Sequence, residues 1–194
     1  LETLNAPGTN LPSHCDRNRT PGIDMTTGSL GQGASTAAGA AVGMKLDGKD
    51  SYVYLILGDG ELDEGQVWEM VLFANTRKLD HLIAFVDYNK LQIDGRTDTD
   101  EVCNLGDIAA KFTAFGWYVQ QVNGHDVTAI DAAVENAKAH TGSPSVIVLD
   151  TEKGHGWSKS AGQVGSHSRG VSQDELAEAI AEIQAAMPKE GGAQ

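Results

Sequence analysis

Two short segments of this 194-residue chain set hard oxygen donors beside glycine. One is Gly58-Asp59-Gly60-Glu61 and the other is Asp87-Tyr88-Asn89-Lys90-Leu91. A carboxylate, an amide oxygen and a main-chain carbonyl are the ligands that Mg2+ or Ca2+ takes, completed by water and by phosphate oxygens of a bound molecule. The glycines beside Asp59 let the backbone approach such a molecule closely. Singly, each segment is an ordinary turn, because Asp-Gly is a common turn pair and an Asn after a strand tolerates a left-handed conformation. Brought together at the ends of neighbouring strands, they form a cation site that could tie an anion to an acidic protein.

The surrounding pattern supplies such strands. Four short runs read as buried strands: Tyr52–Leu57, His81–Val86, Trp117–Val122 and Ser145–Leu149. The first, second and fourth are nearly continuous apolar segments, which predicts parallel strands covered on both faces. Helical stretches alternate with them. Gly65–Lys78 places Val67, Met70, Val71 and Ala74 on one side, Asp126–His140 does so with Val127, Ile130, Val134 and Ala137, and Leu105–Phe115 fills the remaining gap. The Ala- and Gly-rich stretch Gly33–Leu46 has side chains small enough to lie close to a sheet. Ser172–Met187 opens with a capping box, Ser172 and Glu175, and carries Leu176, Ile180 and Ile183 as its apolar stripe. This alternation predicts an α/β fold, a doubly wound, mainly parallel sheet with helices on both faces. In such a sheet, ligands bind beyond the carboxyl ends of the strands, where both acidic segments fall.

Composition narrows the class. Of the 23 glycines, ten lie between Gly22 and Gly65 and five between Gly154 and Gly170, so the excess marks two windows where backbone meets a ligand or turns tightly at a sheet end. The chain carries 14 Lys and Arg against 27 Asp and Glu, a net charge of −13, which argues against bulk-charge binding of nucleic acid or an anionic membrane. Cys15 and Cys103 make no disulfide framework and suit a reducing, cytoplasmic setting. The apolar runs are too short to span a bilayer. The first residue is Leu1 and the segment to Arg19 reads as irregular, so a native start upstream is expected. One domain over residues 1–194 is expected, with 188–194 a frayed tail.

The words around the acidic segments are specific. The stretch GDGELDEGQVWE followed by DYNKLQIDG, with 27 residues between Gly60 and Tyr88, resembles the thiamine-diphosphate fold motif. Tyr88 departs from the Asn or Asp usual before the metal-binding Asn. Thr26-Thr-Gly-Ser-Leu-Gly-Gln-Gly33, Asp59–Glu64, Asn89–Gly95 and Lys153-Gly-His-Gly156 followed by His167 are similar to transketolase, in order, over nearly the whole chain. The length is similar to that of the N-terminal, thiamine-diphosphate-binding subunit of a split transketolase.

The resemblance implies transfer of a two-carbon ketol unit between sugar phosphates, in the manner of the pentose phosphate pathway, with thiamine diphosphate supplying the reactive carbon. It implies that Asp59, Asn89 and the Leu91 carbonyl hold Mg2+ or Ca2+, that Gly60 lies against the diphosphate where a side chain would collide, and that Gly28, Ser29 and Leu30 line the cofactor rings. His14 and His167 match positions that serve the substrate, His167 also beside the cofactor, and imidazole suits proton exchange with sugar hydroxyls near neutral pH. Cys15 replaces a proline common after the first of these. His155 is not expected in catalysis, and His81, His125 and His140 read as structural or solvent-facing. Glu64 and Glu69, five apart on the helix after GDG, match interface glutamates that link two active sites. The family's cofactor-activating glutamate belongs to a second, pyrimidine-binding domain, so the resemblance implies a C-terminal partner subunit, self-association into an oligomer, and no turnover by the isolated chain.

Three other functions share parts of this pattern. A 2-oxo acid dehydrogenase component or a deoxyxylulose-phosphate synthase has the GDG element without the TTGSLGQG and DYNKLQIDG wording. A non-catalytic cofactor-binding subunit needs no substrate histidine. A plain nucleotide-binding domain lacks its Gly-x-Gly-x-x-Gly turn here.

Overall fold

The computed structural model describes residues 2–187; the expected tail at 188–194 lies outside them. Four parallel strands form the central sheet in the order β1 (Val53–Gly58), β2 (Leu82–Tyr88), β6 (Ser145–Asp150), β5 (Tyr118–Asn123). A two-stranded antiparallel hairpin, β3 (Leu91–Gln92) and β4 (Gly95–Arg96), follows directly on β2. The register sets Gly58 opposite Asp87 and Asp87 opposite Leu149, so the strand ends carrying the acidic segments are neighbours.

Helices cover both faces. On one, α1 (Gln32–Leu46), α2 (Gly65–Thr76) and α3 (Ile108–Ala114) pack on Leu55, Leu57, Leu82, Ala84, Val86, Val146 and Val148. The other face meets α4 (Val127–Ala139) through Ile83, Ile147, Ala133 and Ala137. Residue type explains each choice. Ala34, Ala38 and Ala41 let α1 approach closely, and Val67, Met70, Val71 and Ala74 form the buried stripe of α2 at helical spacing. Asp107 and Asp126 cap α3 and α4 by accepting from backbone N–H groups of the first turn. Trp117 donates its indole N–H to the Val71 carbonyl at 2.9 Å, tying β5 to α2.

The elements fall within a few residues of the expected ones, with four differences. β2 and β6 are covered on both faces, but β1 is an edge strand, and its Tyr54 and Ile56 are 50% and 74% exposed because α4 packs on β5 and β6, with Ile83 of β2, and leaves that part of β1 uncovered. α3 begins at Ile108 rather than Leu105, since Asp107 is extended and caps the helix by accepting from Ala110 N–H, while Leu105 N–H is tied to the Thr97 carbonyl. Val127 lies in the first turn of α4 and points outward, 80% exposed. Helix α5 (Gln173–Ala186) has the full capping box between Ser172 and Glu175, yet Leu176, Ile180 and Ile183 remain about half exposed. No helix among the described residues is long and apolar enough to cross a membrane.

Candidate functional site

Asp59 follows the last residue of β1 and is 1% exposed. Its N–H continues the ladder to the Asp87 carbonyl at 3.1 Å, and it caps a short 3-10 turn, Gly60–Asp63. The carboxylate accepts three hydrogen bonds. Gly60 N–H donates to Oδ1 at 2.9 Å, while Lys90 N–H and the Thr97 hydroxyl donate to Oδ2 at 2.6 and 2.8 Å. Burial pushes its pKa above the ordinary carboxylate value; the bonds from Thr97, Gly60 and Lys90 pull it down and the charge of Asp87 raises it, with a net rise. Among the described residues no Lys, Arg or His forms an ion pair with it. The ammonium of Lys90 instead turns outward to Asp150 and over the Tyr88 ring. A buried carboxylate without a protein cation is costly, and a bound metal ion offsets that cost.

The facing side is the turn after β2. Lys90 adopts a left-handed conformation, φ 66°, and thereby aims its N–H at Asp59. Asn89 folds its side-chain oxygen back to accept from Leu91 N–H at 3.1 Å, and this oxygen retains a second acceptor direction. The donor set of Asp59, Asn89 and the Leu91 carbonyl is all hard oxygen and fits Mg2+ or Ca2+. Among the described residues no three or more His, Cys, Asp or Glu side chains gather to hold a metal unaided, so a metal at this corner would need further oxygens from a bound molecule or water.

The hairpin β3–β4 returns the chain to this corner and delivers Thr97, which is fully buried. Thr97 N–H donates to the Lys90 carbonyl at 3.1 Å. The same hairpin brings Gln92 over Gly60: a Cβ at Gly60 would lie 2.7 Å from Gln92 Cβ. Gly60 is thus also crowded from within the protein by Gln92, whose amide donates to Asp63 at 3.1 Å. Neither Thr97 nor Gln92 was legible in advance, because a lone Thr or Gln after a strand carries no local signal and only the hairpin's return places them.

The Gly-rich loop before α1 lies beside the Gly60–Asp63 turn. Gly31, φ 81°, receives the carboxylate of Glu61 on its N–H at 2.8 Å, and Glu64 packs its Cβ against it. Glu61 is a further residue the sequence motif contains without revealing its task, which is to fasten loop to turn. Gly28, φ 129°, faces His14 so closely that a Cβ would sit 2.6 Å from the imidazole. His14 and Gly28 are therefore brought together. Ser29 and Leu30 are exposed beside them. A cavity of about 800 Å3 opens from Gly28, Ser29 and Leu30 along α1 and the free edge of β1; Asp59, Asn89, Leu91, His14 and His167 do not line it.

His167 ends a second short turn, Val164–His167, which lies against β3 and is exposed. Its segment is folded on itself: Gly154 presses against Ser160, and Ser160 and Ser166 exchange hydroxyl contacts at 2.9 Å. Glu64 and Glu69 are exposed at the start and middle of α2. The remaining histidines pack on neighbours: His81 stacks on Tyr52, His140 on Tyr118, and His125 on His155 with ring centroids 3.7 Å apart. Cys15 and Cys103 are exposed free thiols.

Comparison with known proteins adds the family. A family model described as the thiamine diphosphate binding domain of transketolase matches residues 1–187. The 6-deoxy-6-sulfo-D-fructose transketolase subunit of a Clostridium species is 53% identical over 184 residues, covering 95% of this chain and 66% of that protein. An apulose-4-phosphate transketolase subunit from Actinobacillus succinogenes is 36% identical over 94% of this chain and 65% of its own length. Among solved structures, the Pichia stipitis transketolase complex with sedoheptulose 7-phosphate superposes with a TM-score of 0.87 at 32% identity, covering 94% of this chain and 28% of that one. Campylobacter jejuni transketolase gives a TM-score of 0.88 at 28% identity, covering 94% and 29%. The chain thus spans just under two thirds of the subunit relatives and little more than a quarter of those transketolase structures.

Proposed function

The chain belongs to the transketolase family, as its thiamine-diphosphate-binding domain, and on that footing we propose that it is the cofactor-binding subunit of an enzyme moving a two-carbon ketol unit between sugar phosphates. A partner subunit supplies the pyrimidine-binding domain in an oligomeric assembly, and the isolated chain turns over no substrate. The names of its relatives, which are subunits of transketolases, support this division.

One observation carries the assignment of the site. Asp59 is buried, held by three donors, and faces the Asn89–Leu91 turn with no cationic side chain among the described residues pairing with it. Asp59 and Asn89 side chains with the Leu91 carbonyl would hold a divalent metal, Mg2+ or Ca2+, which would supply positive charge for the diphosphate, and Gly60 would lie beside that diphosphate. Bound thiamine diphosphate supplies the nucleophilic carbon and the electron sink for breaking the carbon–carbon bond. Gly28, Ser29 and Leu30 orient its rings, with His167 beside it. His14 and His167 hydrogen-bond the sugar hydroxyls and pass protons there; each is exposed and free to meet a substrate. Glu64 and Glu69 present carboxylates on the outer face of α2, where a second protomer can meet them.

The test is calorimetric titration of thiamine diphosphate with Mg2+, with and without the partner subunit. Tight binding is expected only with both the metal and the partner, and is lost in Asp59→Ala. Binding that ignores Asp59→Ala overturns the metal assignment, and ketol transfer by the purified chain alone overturns the need for a partner. In the assembled pair, His167→Ala is expected to lower turnover while leaving cofactor in place; unchanged turnover would make the histidine idle.

A further inference from the structure

The hydrogen bonds at Asp59 are unevenly shared. An ionised carboxylate offers about four acceptor directions, two on each oxygen. Oδ2 uses both, taking the Lys90 N–H at 2.6 Å and the Thr97 hydroxyl at 2.8 Å, whereas Oδ1 takes only Gly60 N–H at 2.9 Å. One direction is open, and it is on Oδ1. Thr97 is itself fixed: it is fully buried, its N–H donates to the Lys90 carbonyl at 3.1 Å, and its carbonyl accepts from Leu105 N–H at 2.9 Å. Its β-branched side chain has little rotamer freedom, so the hydroxyl has a defined place.

We propose that Thr97 is a positioning residue which, by filling Oδ2, makes Asp59 a one-oxygen ligand through Oδ1 and so sets which divalent cation the site prefers. The inference rests on the reading of Asp59 as a metal ligand. Mg2+ is small, demands near-octahedral geometry and suits a carboxylate that offers one oxygen. Ca2+ accepts six to eight oxygens in flexible geometry and readily takes carboxylates through one oxygen or both. Removing the Thr97 donor opens one of the two acceptor directions of Oδ2, loosens the rotamer, and favours the larger ion, while the Lys90 N–H stays in place. A residue that only supports the fold would weaken both ions alike.

The experiment uses the chain assembled with its partner subunit at one fixed excess of thiamine diphosphate, titrated with Mg2+ and, separately, with Ca2+. Thr97→Val is expected to weaken Mg2+ by about 10–100-fold, the usual effect of losing a group that orients a metal ligand, and Ca2+ by far less. The Mg2+ to Ca2+ affinity ratio therefore falls, and Thr97→Ser, which keeps the hydroxyl, restores it. Thr97→Cys has a weak S–H donor and is expected to fall between; it carries the test if a thermal melt shows that the valine variant does not fold. Equal losses for the two ions, or none, overturn the role of Thr97. Absence of metal binding in the wild-type assembly, or binding indifferent to Asp59→Ala, overturns the underlying assignment and this inference with it.

Discussion

The corner at Asp59 and the segment leading to His167 are organised by opposite means. At Asp59 the ends of β1 and β2 are cross-braced by buried bonds from Lys90 and Thr97, and a hairpin closes over them. The segment from Glu152 to Arg169 has little buried support apart from Trp157. It is clasped from outside by α5 through Ser158 with Glu182, Lys159 with Glu178, and Arg169, which pairs with Glu175 and lies over the Trp157 ring. Exposed contacts of this kind contribute little each and are screened by salt. The chain therefore braces the Asp59 corner, where we propose the metal, through buried bonds of its own, whereas the segment leading to His167 is held by exposed contacts. That division suits a site completed by a second polypeptide.

The largest expected effect lies at the buried corner. Asp59→Ala removes the acceptor of three donors and is expected to reduce Mg2+-dependent thiamine diphosphate binding beyond the ~10–100-fold typical of losing a group behind a metal ligand. It also leaves the Thr97 hydroxyl and the Gly60 and Lys90 N–H groups unpaired, each costing about 1–3 kcal/mol where water cannot reach, offset by relief of the buried charge. A normal calorimetric isotherm would break the comparison at its stronger half.

Next in size is Gly60→Ala. Its new Cβ meets Gln92 Cβ at 2.7 Å, so backbone as well as side chain must shift, and a loss of about 1–3 kcal/mol is expected in urea denaturation. An unchanged midpoint would mean that this corner yields as readily as the outer segment.

Smaller effects belong to the clasp. Glu182→Gln weakens acceptance from Ser158 N–H and Oγ at 2.7 and 2.8 Å and is expected to speed limited proteolysis within residues 152–170 a few-fold. Metal-dependent cofactor binding should stay unchanged, and a loss there would show that the two regions are coupled.

The smallest effect is one of pH. The Ser158 N–H and hydroxyl hold Glu182 below the ordinary glutamate value of 4.5, and the Ser172 N–H and hydroxyl do the same for Glu175. A lowered folded-state pKa means that the contribution is complete above the ordinary value and is lost as pH falls through the lowered one. Amide exchange corrected for intrinsic rates is therefore expected to accelerate in α5 on acidification below about pH 4.5, while β2 keeps its protection. Equal loss in both would contradict the distinction.

The two regions also differ in how much of them could be read from residues alone. The strands, the α2 stripe Val67, Met70, Val71 and Ala74, and the capping box of α5 were legible because periodicity and caps are local properties. The Asp59 and Asn89 segments were legible as a pair because parallel neighbours share one end. Thr97, Gln92 and Glu61 were not, since their partners lie 38, 32 and 30 residues away in sequence and depend on the hairpin and the Gly31 loop. The exposure of Tyr54 and Ile56 was hidden for a related reason: an apolar run does not reveal whether its strand lies at the centre or the edge of a sheet.

The most direct test is anomalous diffraction from crystals of the assembled protein grown with Mn2+ in place of Mg2+ and with thiamine diphosphate. The expected result is one strong peak within bonding distance of Asp59 Oδ1, Asn89 Oδ1 and the Leu91 carbonyl, with diphosphate oxygens on its other side. Bound cofactor with no peak at that corner, or with the metal held by other residues, would contradict the account.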